Sequence, residues 1–195
     1  PVLHEGLDPR DAEAYPSLAK WYEAMDGVPA YACRVKGDGS SWRKVLSMAG
    51  FGNSGVPPAV LERMEGFKEG EANVGVTDRE KELWREYAAV RPYVAETSEK
   101  EAGATVVRNW EALKKDVGSR MGGSLWPRLP KDEEGLDLVM RALTCVLIGE
   151  NVEEAKGVDG VGALAEFLDY RMCVPRDMGA MSAAAIKRVA NELGS

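Results

Sequence analysis

The feature that most constrains this chain is the spacing of its apolar side chains, which recur every three to four residues in nearly every segment that can be interpreted. Such spacing places apolar groups on one face of an α-helix. No segment shows the strict alternation of a strand, apart from a weak hint at residues 72–76. The sequence therefore predicts an all-α fold of about eight helices. Its core is expected around the apolar face formed by Leu136, Val139, Met140, Leu143, Val146 and Leu147.

Capping patterns predict where several helices begin. Thr77 with Glu80 three residues later matches a capping box, and Ser98 with Glu101 repeats the pattern. The second box predicts one long helix that runs to the glycines at 122 and 123. A glycine-rich, acidic stretch at residues 66–76 predicts a connector, so we expect one helical lobe over residues 1–66 and a second over residues 67–195.

Charge and composition exclude several classes of function. The 195 residues include 25 Lys and Arg against 32 Asp and Glu, a net charge of -7, whereas non-specific nucleic-acid binding needs a basic surface. Three unevenly spaced cysteines and one histidine predict neither a disulfide framework nor a structural zinc site. The most apolar stretches, residues 45–61 and 136–149, are interrupted by glycine, proline or charge, so no membrane span is expected.

Residues 50–55 satisfy the pattern G-x-G-x-x-G of dinucleotide-binding loops. That loop works only when it follows a strand and leads into a helix whose amino terminus receives the pyrophosphate. Here a helix is predicted before the pattern and two prolines follow it. We therefore interpret the glycines as a tight turn between helices. No nucleophile with an activating histidine is evident either, so the sequence predicts no catalytic residue.

One basic stretch stands out in this acidic chain. Arg34, Lys36, Arg43 and Lys44 flank Trp42 and could contact an anionic head group, a phosphate or an acidic partner surface. The simpler interpretation is a solvated helix face with one buried tryptophan.

Aromatic segments bounded by proline or glycine are candidate contacts with other proteins. We predict interface roles for Trp42, Phe51 and Trp126, although a tryptophan can equally anchor the core. His4 could ligate a metal or a tetrapyrrole, chlorophyll included, through a ring nitrogen. A lone histidine near a chain end is more often simply exposed. No cofactor is required by the sequence.

Residues 15–25 (Tyr-Pro-Ser-Leu-Ala-Lys-Trp-Tyr-Glu-Ala-Met), followed by Val28-Pro29-Ala30-Tyr31, resemble the end of the helical carboxy-terminal domain of glutathione transferases. The match covers about 25 residues. The resemblance implies that the lobe over residues 1–66 is a helical bundle of this type, extended by the second lobe. The family's glutathione site is built mostly on a thioredoxin-like domain, which we expect to end before Pro1. No position here matches a catalytic residue of the family.

The continuation departs from ordinary transferases. Residues 34–38 with Ser41 and Trp42, and residues 174–180, are similar to an extended transferase-like group in algae with plastids of secondary origin. The resemblance implies a non-enzymatic peripheral linker that joins antenna proteins to photosystem I on the stromal side of the thylakoid membrane in the chloroplast. Its partners would be protein subunits of that membrane complex. The alternative is a glutathione transferase whose thioredoxin-like domain is missing from this chain.

Overall fold

The computed structural model of the chain describes residues 10–36, 76–120, 128–149, 153–172 and 174–194. Within these ranges every regular element is a helix and no strand occurs, so the all-α prediction is confirmed. The predicted lobe boundary at residues 66–67 lies outside them and stays a prediction. The elements are α1 (Pro16–Asp26), a π-helical turn (Tyr31–Val35), α2 (Asp78–Ala89), α3 (Ser98–Arg108), α4 (Trp110–Arg120), α5 (Glu133–Gly149), a 3-10 turn (Glu153–Ala155), α6 (Val161–Arg171) and α7 (Ala180–Leu193).

Helix α5 is at the centre of the main core, as the sequence predicts. It packs against α3 and α6, and α7 packs against both of those helices. Because burying apolar area is the dominant favourable contribution to folding, this four-helix contact is the main source of stability. The buried side chains of α5 include all six of the predicted apolar face: Leu136, Val139, Met140, Leu143, Val146 and Leu147.

A second, smaller apolar cluster joins the π-helical turn to α2. Met181 of α7 packs against it, so the turn also lies against α7. The described part of the predicted first lobe therefore contacts the predicted second lobe through this turn. The buried members of the cluster are Ala32, Cys33, Leu83, Trp84 and Tyr87.

The capping box predicted at the start of α2 is confirmed. The Thr77 hydroxyl accepts from the backbone N–H of Glu80 at 3.2 Å, and the Glu80 carboxylate accepts from the backbone N–H of Thr77 at 2.8 Å. Two donors at the end of the helix are thereby satisfied.

The capping box predicted from Ser98 and Glu101 is wrong by one residue. Thr97 is the N-cap of α3, and its hydroxyl accepts from the N–H of Lys100 at 3.1 Å. The Glu101 carboxylate instead accepts from the backbone N–H of Ala95 at 2.8 Å and from Arg108 at 2.6 Å. Serine is the somewhat better N-cap by residue type, so the path of the preceding loop, and not residue type, selects Thr97.

The long helix predicted from residue 98 is divided into α3 and α4 at Asn109. The Asn109 side-chain amide donates to the backbone carbonyl of Thr105 at 2.8 Å, and the backbone carbonyl of Asn109 accepts from the backbone N–H of Leu113 in the first turn of α4. A short amide side chain that bonds to nearby backbone offers an alternative to the helical ladder. The apolar spacing continues across the break, which is why periodicity alone does not reveal it.

None of the helices in the described ranges is both long enough and apolar enough to cross a membrane.

Candidate functional site

The structure describes two of the residues predicted to contact an anion or an acidic partner. Arg34 and Lys36 lie at the end of the π-helical turn, and their side chains have different neighbours. Their predicted companions and the predicted interface and pigment-ligand residues lie outside the described residues: His4, Trp42, Arg43, Lys44, Phe51 and Trp126.

An ion-pair cluster fixes α1 against the π-helical turn. Arg10 pairs with both carboxylate oxygens of Asp26, at 2.8 and 3.1 Å, and Lys36 approaches the same carboxylate at 3.2 Å. The hydrogen bond from Arg10 holds the pKa of Asp26 below its usual value, and Lys36 adds to this effect. Lys36 thus already has an acidic partner within the chain.

Helix α1 leaves its large apolar side chains largely exposed. None of its residues is buried; Trp21 is 49% exposed and Leu18 is 40% exposed. Trp21 and Leu18 are three residues apart and so share one side of the helix. The Trp21 ring contacts Tyr22 and Tyr31 edge to face, at centroid distances of 4.9 and 6.4 Å. We call the exposed surface formed by Leu18 and Trp21 the α1 face.

A cleft of about 430 Å³ opens between the π-helical turn, α2, α3 and the start of α7. Its volume lies within the range of about 300–1,000 Å³ typical of small-molecule pockets. We call it the π-turn cleft. Among the residues that line it are Cys33, Arg34, Trp84, Tyr87, Glu101 and Ser182.

One wall of the π-turn cleft is aromatic and is held by hydrogen bonds. Trp84 and Tyr87 are stacked obliquely at 5.4 Å, and the Trp84 indole N–H donates to the carbonyl of Ala95 at 3.0 Å. Glu101 binds the Ala95 N–H and Arg108, so its charge is neutralised at the cleft edge. Because these partners lock the loop before α3, the wall is preformed.

Cys33 lines the same cleft but is a poor nucleophile. Burial raises the pKa of its thiol to about 11, although nearby Arg91 opposes the shift and Glu86 adds to it. The thiolate is the reactive form of cysteine. With this pKa, roughly one thiol in a thousand is ionised at pH 8.

We expect Cys33 to react with iodoacetamide at least about tenfold more slowly than Cys145 in the native protein at pH 8, because Cys33 is buried and Cys145 is exposed. The difference should narrow as the pH rises towards 11, where the Cys33 thiol ionises, and disappear in denaturant. Peptide mass spectrometry after timed labelling measures both sites in one sample. Equal native rates would contradict the buried placement of Cys33.

The start of α7 brings unsatisfied donors to the π-turn cleft. Gly179 is the N-cap and no side chain caps the helix. Ser182, in the first turn, is fully buried, yet its hydroxyl has no hydrogen-bond partner within the described ranges. Arg34 approaches this end closely: a Cβ added to Gly179 would be 3.0 Å from the carbonyl oxygen of Cys33 and 3.4 Å from Cδ of Arg34. Only glycine permits this approach without a shift of the turn.

Sequence reasoning missed Ser182 and Gly179 as site residues. Ser182 lies in an alanine-rich helix with no motif around it, and no local signal separates it from an ordinary helical serine. Trp84 and Tyr87 lie on the buried side of α2, where helical spacing alone indicates core positions and no cleft. The cleft is formed by the approach of segments far apart in sequence, which a linear motif does not record.

Among the described residues, no group of three or more His, Cys, Asp or Glu side chains is placed to hold a metal ion. Comparison of the chain with models of known protein families, with curated proteins and with solved structures finds no match.

Proposed function

We propose that this protein is a non-enzymatic linker subunit that docks onto other protein subunits through the α1 face. The observation that carries the proposal is the exposure of Leu18 and Trp21 on a helix with no buried residue. Tryptophan is enriched among the residues that dominate binding energy at protein interfaces. Because α1 contributes no buried side chain to the protein core, its apolar side chains are available to pack against a partner protein.

The proposed setting is a photosystem I and antenna assembly on the stromal side of the thylakoid membrane. The resemblance of residues 15–25 and 28–31 to the transferase carboxy-terminal domain supports it. So does the resemblance of residues 34–38, with Ser41 and Trp42, and of residues 174–180 to the algal group. The α1 face lies within the first of these segments. Trp42, Phe51 and Trp126 remain proposed contacts, and chlorophyll on His4 remains a proposed ligand.

We expect Trp21→Ala to weaken retention of the purified chain on isolated thylakoid membranes by roughly tenfold or more, since truncating a tryptophan that dominates an interface costs about 2 kcal/mol or more. Its thermal stability should change little, because the side chain is half exposed. Sedimentation of the chain with chlorophyll-containing membranes measures retention. Tyr170→Ala, which removes an exposed aromatic side chain from α6, is the matched control.

Three outcomes would overturn this proposal. The first is that the parent chain does not sediment with the membranes. The second is that Trp21→Ala and Tyr170→Ala bind alike. The third is that protein-free vesicles of thylakoid lipids retain the chain as well as the membranes do. Glutathione conjugation of a generic electrophile by the purified chain, surviving repurification, would favour the transferase alternative instead.

A further inference from the structure

The π-turn cleft presents three separate features that favour an anion at one point. The uncapped amino terminus of α7 leaves backbone N–H groups without helical acceptors and carries the positive end of the helix dipole. The buried Ser182 hydroxyl in its first turn has no partner among the described residues. Arg34, which approaches the same end beside Gly179, forms no ion pair within the described part of the chain.

The buried hydroxyl is the observation that points to a ligand. A polar group removed from water without a partner destabilises the fold, so native proteins seldom leave one unsatisfied. Ser182 has no such partner in the described ranges, and it lines an open cleft. A bound acceptor atom would supply the missing hydrogen bond.

The charges of the cleft set the charge of that ligand. Three charged side chains line it: Arg34, Glu101 and Arg108. Glu101 and Arg108 pair with each other at 2.6 Å and cancel. The remaining charge is that of Arg34, so a single negative charge on the ligand is balanced.

The rest of the cleft sets the body of the ligand. Trp84 and Tyr87 form a mostly buried aromatic wall, and Tyr93 borders it from the exposed side. Such surfaces favour a flat apolar or aromatic group, which stacks on the aromatic rings and is thereby removed from water.

We infer that the π-turn cleft binds a small amphipathic monoanion, a free carboxylic or sulfonic acid on an aromatic or apolar body. The acid group lies at the start of α7, where it accepts from the Ser182 hydroxyl and from helix N–H groups and pairs with Arg34. The apolar body lies against Trp84 and Tyr87. This site is independent of the α1 face, and the linker proposal can fail without affecting it.

Two probes test the chemistry of the site in the purified full chain. The first is 8-anilinonaphthalene-1-sulfonate, followed by its fluorescence, and the second is naphthalene-1-acetate, which should displace it. The primary amide of naphthalene-1-acetate has the same body without the charge. We expect the acid to compete at least about tenfold better than the amide, because hydrogen bonds to a charged group are roughly twice as strong as neutral ones.

Two variants test the residues. Ser182→Ala and Arg34→Gln should each weaken binding of the acid by roughly tenfold or more, since each removes a charge-assisted contact. Arg79→Gln, which removes an exposed arginine from α2, is the matched control and should bind as the parent does. Without ligand, Ser182→Ala should melt no lower than the parent, because it removes an unsatisfied buried hydroxyl.

The melting comparison separates a binding role from a structural one. If Ser182→Ala melts several degrees lower without ligand, the hydroxyl already has a partner and the inference is wrong. Equal binding of the acid and the amide overturns it as well. The inference is also wrong if Ser182→Ala or Arg34→Gln binds the acid as tightly as the parent does. It is wrong as well if the parent chain shows no saturable binding of either probe.

Discussion

Leu143→Ala is expected to lower the free energy of unfolding by about 2–5 kcal/mol, the range found for truncating fully buried leucines. Leu143 has no exposed surface and lies in the middle of α5, the helix at the centre of the main core. The substitution removes apolar area from the core and leaves a cavity that the neighbouring helices can only partly fill. Chemical denaturation followed by circular dichroism at 222 nm measures the loss.

Leu138→Ala on the same helix is the matched control, because Leu138 is 57% exposed. The change of residue type and the helix are the same, and only burial differs. We expect the free energy of unfolding of this variant to be within about 0.5 kcal/mol of the parent's, as is usual for surface substitutions. A similar loss of stability in the two variants would contradict the burial of Leu143 and the exposure of Leu138.

Gly162→Ala is expected to destabilise the protein by about 1–3 kcal/mol, the usual cost of overpacking. A Cβ at position 162 would overlap the backbone carbonyl of Leu193 and would be 2.6 Å from the backbone nitrogen of Gly194. That end of α7 cannot move freely, since the Arg128 side chain donates to the carbonyl of Gly194 and lies 3.6 Å from Glu166. The methyl group therefore has to separate α6 from α7.

Thermal unfolding should show a fall of several degrees for Gly162→Ala, given about 2–4 °C per kcal/mol for a chain of this size. Gly118→Ala on α4 is the comparison, because a Cβ there meets no atom within 4 Å. Alanine is a better helix former than glycine by up to about 1 kcal/mol, so the Gly118→Ala protein should be at least as stable as the parent. A Gly162→Ala protein as stable as the Gly118→Ala protein would show that α6 and α7 are not in such close contact.

Some features of the helices could be predicted from the sequence, and others could not. The apolar positions of α5 are buried as predicted, because residues spaced three to four apart lie on the same face of a helix. Thr77 and Glu80 close a capping box as predicted, since both partners lie within one turn. Thr97 and Asn109 were not foreseen, because the alternatives at each position differ little in local energy and the tertiary contacts of the loop and helices decide between them.

The sequence by itself determined the helical class, the start of α2 and the apolar face that becomes the core of this protein. These features depend on interactions between residues a few positions apart, and such interactions can be inferred from the sequence directly. Only the tertiary structure decided that Arg34 approaches the start of α7, that Ser182 is buried without a partner in the described ranges, and that Trp21 remains exposed while Trp84 does not. Burial and proximity depend on how segments as far apart as the π-helical turn and α7 pack together, and residue type alone does not fix that packing.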